Sequence, residues 1–319
     1  MDTNSLLIKA MTYAYPEELP VLVGVLPACF IKYGKKMKEL IAEFPDLFGE
    51  WWQGYDPYKN MPGSYHAGTF TDDWGCVWVN EVDGMESIVT GHPIPNREDI
   101  LTMKEPTVNI GFPHGFMYLR LLDLRGFEEA MIDFAEEPPE LQILIDKVLN
   151  YNLKQLDIQL KGDNKILFFG DDLGMQKGLA IGAGKWRKYI KPCFKALFNK
   201  CKQAGKYVYM HTDGCIYEIM PDLKECGADM INPQFRANGL ENLERVCKVE
   251  GRIPICLDLD RQLFPFATPY ELKKHVEDCV KSLYLPEGGL ALNLEIGPDN
   301  PLENIKALFE AVNEFKKYK

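Results

Sequence analysis

The segment Tyr207-Val208-Tyr209-Met210-His211-Thr212-Asp213-Gly214 decides the reading of this chain. A short run of β-favouring and apolar residues passes directly into a polar turn, as a buried parallel strand does where it ends at a functional loop. The pattern recurs along the sequence. Ile166-Leu167-Phe168-Phe169 runs into Gly170-Asp171-Asp172-Leu173-Gly174, and Met230-Ile231-Asn232 runs into Pro233-Gln234. Pro254-Ile255-Cys256-Leu257 leads to Asp258-Leu259-Asp260-Arg261, and Leu290-Ala291-Leu292-Asn293-Leu294 leads to Glu295. Thr107-Val108-Asn109-Ile110-Gly111 precedes Phe112-Pro113-His114, and Val21-Leu22-Val23-Gly24-Val25 is a further apolar run near the start.

Longer helical patterns separate these runs, over 138–160, 184–204, 216–226, 239–249, 269–284 and 302–316. Strands alternating with helices of this length predict parallel pairing through helical crossovers. The expected fold is therefore α/β, a (β/α)8 TIM barrel. Local punctuation agrees: Thr268, Pro269 and Glu271 read as an N-cap, a helix-opening proline and an acidic first turn. Gly205 and Gly227 stand where helices should stop.

A chain of 319 residues fits one barrel domain, so a single domain over 1–319 is expected. Residues 1–100 read as an N-terminal extension, a helical layer followed by an aromatic, glycine- and proline-rich excursion that includes Trp51, Trp52, Tyr65 and Trp74. So long a loop in a compact domain is usually functional, and it is expected to cover the barrel mouth.

Composition narrows the partners. Hydrophobic residues make up 46% and charged residues 26%, as in soluble globular proteins. The net charge of -11 disfavours nucleic acid and anionic membranes. The start has no signal-peptide pattern and no apolar run reaches membrane-spanning length, which leads us to expect a cytoplasmic protein. Nine cysteines without a CxxC pair read as reduced thiols that serve as small buried hydrophobes.

In a barrel, the residues just past the strand ends face the active site. His211, Asp213, Asp171, Asp172, Glu295, Gln234, Asp258 and His114 all occupy such positions. Imidazole and carboxylate together can hold a divalent metal and suit zinc. Each residue also has a plain structural reading. His211 serves equally as a buried hydrogen-bonding residue, and Asp213, Asp171 and Asp172 serve as helix caps. Glu295 ends an apolar run, where an unpaired carboxylate is costly. Trp74 reads as core or as one wall of a pocket.

The ordered set resembles the uroporphyrinogen decarboxylase superfamily, in its methyltransferase-like branch. The resemblance is carried by Gly170-Asp171-Asp172-Leu173-Gly174, Trp186-Arg187, Ile190-Lys191-Pro192, His211-Thr212-Asp213-Gly214 and Asn232-Pro233-Gln234. It continues through Asp258-Leu259-Asp260, Thr268-Pro269-Tyr270-Glu271, Pro286-Glu287-Gly288-Gly289 and Asn300-Pro301-Leu302-Glu303. Upstream, Thr71-Asp72-Asp73-Trp74-Gly75-Cys76 and Gly91-His92-Pro93 look like the same branch. The porphyrin decarboxylases of this family grip substrate carboxylates with an arginine-rich N-terminal segment. Here the first arginine is Arg97, so porphyrin decarboxylation is not expected.

The other chemistry that the resemblance implies is methyl transfer involving a corrinoid protein. Thiol-methylating relatives hold zinc with a His-x-Cys pair and a second cysteine near the last strand. This chain has His211, but Asp213 replaces the first cysteine and Glu295 stands near the second, while Cys215 is expected on the following helix. The implied zinc ligands are His211, Asp213 and Glu295, a harder set suited to polarising oxygen. The implied activity is removal of a methyl group from an O-methyl compound, most simply an aromatic methyl ether, onto the Co(I) of a separate corrinoid protein. Asp171, Asp172 and His211 are the expected catalytic residues. Trp74, Phe112, His114, Gln234 and Asp258 are the expected substrate contacts. Cobalamin must come on the partner, because the chain has no Asp-x-His-x-x-Gly corrinoid motif. A homodimer, a decarboxylase of a small or aromatic acid, and a non-catalytic carrier-docking protein are the alternatives kept open.

Overall fold

The computed structural model describes residues 3–108 and 112–318. They form two compact units, the first made of 3–69, 79–88 and 234–318 and the second of 70–78, 89–108 and 112–233. The strands in chain order are β1 (Val21–Val25), β2 (Gly68–Thr71), β3 (Val77–Asn80), β4 (Ile88–Gly91), β5 (Ile166–Gly170), β6 (Tyr207–Thr212), β7 (Met230–Pro233), β8 (Ile255–Asp258) and β9 (Leu290–Ile296).

In the second unit β5, β6 and β7 lie side by side in that order, and their pairing is parallel. The register sets Gly170 beside His211 and His211 beside Asn232. In the first unit the order is β1, β9, β8, again parallel, with Gly24 beside Glu295 and Asp258 beside Asn293. Parallel pairing explains the near-continuous apolar runs, because both faces of strands in a parallel α/β sheet are covered. Every residue of β7 and of β8 is buried. The expected α/β class and the expected parallel strands are what the structure shows.

The crossover helices bury one stripe each. In Leu302–Phe315 the buried Ile305, Leu308, Phe309 and Val312 recur at helical spacing. Pro139–Gln159 does the same with Leu141, Leu144, Ile145 and Val148. Helix Pro269–Leu283 starts on a complete capping box: Glu271 N donates to Thr268 Oγ1 at 3.3 Å, and Thr268 N donates to Glu271 Oε2 at 2.8 Å.

Some boundaries differ from expectation, for identifiable reasons. The helix expected over 184–204 is three pieces: Gly182–Lys185, a π-helical turn Trp186–Ile190, and Lys191–Gln203. Pro192 has no amide to donate to the carbonyl four residues back, and the ladder widens just before it. The helix expected from 216 begins only at Met220, with Pro221 in its first turn. Cys215 therefore lies in the preceding loop and not on the helix. The 239–249 helix is Leu240–Glu244 followed by a π-helical turn, Arg245–Val249. Strands β2, β3 and β4 form a small three-stranded sheet inside the excursion that the sequence presented as loop. Of the strand expected over 107–111, residues 109–111 lie outside the described residues.

All nine cysteines are free and buried. Burial pushes the Cys193 and Cys201 thiols up to about 12, so these two stay protonated and inert. Among the described residues no helix is long and apolar enough to cross a membrane.

Candidate active site

Glycines bring the loops after β5 and β6 into contact. Gly214 has φ 84°, and a Cβ there would lie 2.2 Å from the backbone of Gly174. A Cβ on Gly174 would lie 2.5 Å from Cys215 N. Neither loop has room for a side chain at the crossing, so the two backbones touch and bond. Gly174 N donates to Asp213 O at 3.1 Å, Cys215 N to Met175 O at 2.8 Å, and Leu173 N to Thr212 Oγ1 at 3.0 Å. Asp172 is thereby set against the next loop, where its Oδ1 accepts from Asp213 N at 3.1 Å.

His114 arrives over the end of β5. Gly115 N donates to Gly170 O at 2.8 Å, and the missing Cβ of Gly170 is what makes space for the ring, since one would meet His114 Nδ1 at 2.6 Å. His114 Nε2 then lies 3.1 Å from Asp172 Oδ1. His211 Nε2 lies 4.0 Å from the same oxygen and 3.4 Å from Asp213 Oδ1. The ligating atoms of His114, Asp172 and His211 are all within 4.8 Å of one another. On its far side, His211 Nδ1 donates to Asn232 Oδ1 at 2.7 Å. That bond places the ring proton on Nδ1 and turns the Nε2 lone pair toward the carboxylates. A lone pair on His211 Nε2 that faces these carboxylates is repelled, so that side of the constellation calls for a cation or a proton.

The electrostatics separate the adjacent aspartates. Burial alone would push the Asp172 carboxyl up, but the bond and charge of His114, the Asp213 amide and His211 outweigh it and hold the group below the ordinary range. Burial dominates at Asp171 and pushes its carboxyl well up, against the pull of two backbone amides. Those amides belong to Tyr118 and Leu119, at 2.5 and 2.9 Å, the opening of helix Tyr118–Arg125. Asp171 is fully buried and caps a helix distant in sequence, a form of the capping role that the sequence left open.

A family model described as uroporphyrinogen decarboxylase matches residues 120–315, more than half of the chain. The chain belongs to the uroporphyrinogen decarboxylase family. Among solved structures, a methyltransferase from Methanosarcina mazei is 15% identical, covers 98% of both chains and superposes with a TM-score of 0.65. At that identity the match shows the fold, and it supports the α/β barrel class that the family resemblance implied. A dihydropteroate synthase from Xanthomonas albilineans is 13% identical over 57% of this chain and 63% of that one, with a TM-score of 0.35. A B12-independent methionine synthase from Shewanella sp. W3-18-1 is 11% identical over 80% and 74%, with a TM-score of 0.31. The latter two are too distant to carry weight. No curated protein matches the sequence.

In this family member the remaining expected site residues are placed as follows. Phe112 packs against Phe169 and Phe116, with ring centroids 4.9 and 5.6 Å away. Trp74 sits edge-on to Tyr151 at 4.8 Å and 5.9 Å from the Arg120 guanidinium, contacts that anchor its loop. Gln234, Asp258 and Glu295 belong to the first unit. Gln234 and Asp258 form a parallel bridge, and Asp258 Oδ1 accepts from Asn293 Nδ2 at 3.0 Å. Glu295 is only half-buried, and its carboxylate is paired with Arg261 Nη1. The cluster of His211 with Asp172 and His114 thus uses residues expected as catalytic or substrate-binding, and Asn232 was not anticipated as a functional residue. Gly170 and Gly115 make room for the His114 ring, and Asn232 ends the strand next to the one carrying His211, a neighbour that only the register reveals.

Proposed function

We propose that the protein is a methyltransferase that takes the methyl group of an O-methyl compound, an aromatic methyl ether in the simplest case, and passes it to a corrinoid carried by a separate protein. The observation that carries this reading is the convergence of His114 Nε2, His211 Nε2 and Asp172 Oδ1 with Asp213 alongside. This all-nitrogen-and-oxygen donor set fits zinc and lacks the thiolates that would activate a thiol. We assign the metal ligands to His114, Asp172 and His211, and leave Glu295 to its pair with Arg261. Bound zinc would act as a Lewis acid toward the ether oxygen.

The chain's own residues set the conditions. Oxygen must keep the electron pair of the breaking carbon–oxygen bond, and it is a poor leaving group unless positive charge is near. Asp172, held below the ordinary carboxylate range, acts as an anion that holds that charge beside His114 and His211, not as a proton donor. Asn232 keeps the His211 proton on Nδ1. Asp171 holds the Tyr118–Arg125 helix start against the loop that bears Asp172. The fold shared with the Methanosarcina mazei methyltransferase fits the reading as an analogy of scaffold.

The test is turnover with methoxylated aromatics, methylamines and methylthiols in the presence of a reduced corrinoid protein. Methoxylated compounds should be demethylated, with about one zinc per chain. His114→Ala and His211→Ala should each lower turnover at least ~100-fold while circular dichroism is unchanged. Full activity of both variants would refute the assignment. Family membership also gives standing to decarboxylation of a small acid. Carbon dioxide release by the chain alone, without carrier or metal, would replace the first reading with that one.

A further inference from the structure

The first unit holds a cavity of about 780 Å³ lined largely by residues at or past the ends of β1, β7, β8 and β9. Its apolar wall is Leu26, Met85, Pro265, Phe266 and Pro298. Its polar wall includes Arg236, Arg261 and Glu295. A cavity of this size with apolar sides and few polar groups is the usual form of a small-molecule site.

Arg236 is the distinctive group. Its Nε donates to Asp260 Oδ1 at 2.8 Å and its Nη2 lies 2.7 Å from Asp260 Oδ2, a fork on a carboxylate that is itself buried. Asp260 is fixed in turn, because its amide donates to His275 Nε2 at 3.2 Å. The guanidinium is held rigid while half its side chain stays exposed, and among the described residues Nη1 makes no hydrogen bond or ion pair. The acidic residues of the same wall are engaged: Glu295 with Arg261, and Asp299 Oδ1 with Asn300 Nδ2 at 3.1 Å. A preorganised guanidinium with unused N–H groups, at the rim of an apolar cavity, matches a carboxylate on an apolar body.

We infer that this cavity binds an apolar carboxylic acid, with Arg236 Nη1 donating to the ligand's carboxylate and the apolar wall covering its body. The site stands on the first unit alone and does not depend on the proposed methyl transfer.

The test is equilibrium binding by calorimetry, without carrier protein or substrate, using benzoate and its uncharged isostere benzamide on the full chain. Benzoate should bind saturably, and benzamide about tenfold or more weaker, as expected for losing a charge-assisted hydrogen bond. Arg236→Met should weaken benzoate by a similar factor and leave benzamide unchanged. Removing Arg236 strips the buried Asp260 of its partner, so Arg236→Lys is measured beside it. It keeps the charge but loses the fork, and it should also bind benzoate more weakly than the native chain. Thermal melts establish that both variants are folded. Equal affinity for benzoate and benzamide, no saturable binding of benzoate, or native benzoate affinity in the folded variants would overturn the inference. Methyl transfer can fail with this binding intact, and the reverse, so the two readings fall separately.

Discussion

Asn232 lies beside His211 on the neighbouring strand, and its side-chain oxygen takes the Nδ1 proton at 2.7 Å. Outer partners of this kind fix the tautomer and direction of a ligating imidazole. If the site holds zinc as proposed, Asn232→Ala should weaken its binding by about 10- to 100-fold, read by competition with a chelator, with His211 itself untouched. Asn232→Asp keeps an acceptor in place and should restore the affinity. Unchanged affinity in the alanine variant would show that the bond has no such role. His211 was legible as a site residue because it follows an apolar strand. The partner was not, because nothing sets Asn232 beside His211 until the register of β6 and β7 is known. Asp171 and Asp172 look alike in sequence. Only the amides of Tyr118 and Leu119 separate the buried cap from the residue that faces the histidines.

At the scale of elements, six of the seven expected strands are present among the described residues with ends shifted by at most two residues, since an apolar run bounded by polar turns leaves little choice. Helix starts were legible where a cap or proline marks them, as at Thr268. The π-helical turn Trp186–Ile190 was not, because its cause lies in hydrogen-bond geometry around Pro192 and not in hydrophobic spacing. The loops after β5 and β6 show why Gly-Asp-Asp-Leu-Gly and His-Thr-Asp-Gly end as they do: their last glycines interlock. Gly214→Ala would put a Cβ on a residue with φ 84° and 2.2 Å from the Gly174 backbone, which has no flexible end to yield. The expected cost is about 3 kcal/mol or more in denaturant unfolding, with loss of the site. A loss below about 1 kcal/mol would show that the loops separate easily.

For the whole molecule, the α/β class followed from alternating runs and a family resemblance, whereas the division into two compact units crosses the chain at places that composition does not mark. The same scale sets the pH dependence of stability. In the second unit, burial raises the Asp123 carboxyl to about 6, against the pull of Arg120 at 3.7 Å, and burial likewise raises Asp171. A carboxyl whose value is raised by folding binds its proton more tightly in the native chain than in the unfolded one. Its favourable contribution is complete below the ordinary carboxylate range and is lost as pH rises through the raised value. Asp172 has the opposite sign. Its contribution is present above the ordinary range and disappears as pH falls through its lowered value. In the presence of a chelator, the melting temperature of the native chain should decline from the ordinary carboxylate range up through about pH 6 as Asp123 ionises. Asp123→Asn cannot ionise and should show a shallower decline over that interval, while Asp172→Asn should leave it unchanged. Superimposable profiles for the native chain and Asp123→Asn would mean that the Arg120 charge compensates Asp123 fully, and that burial does not govern this part of the fold.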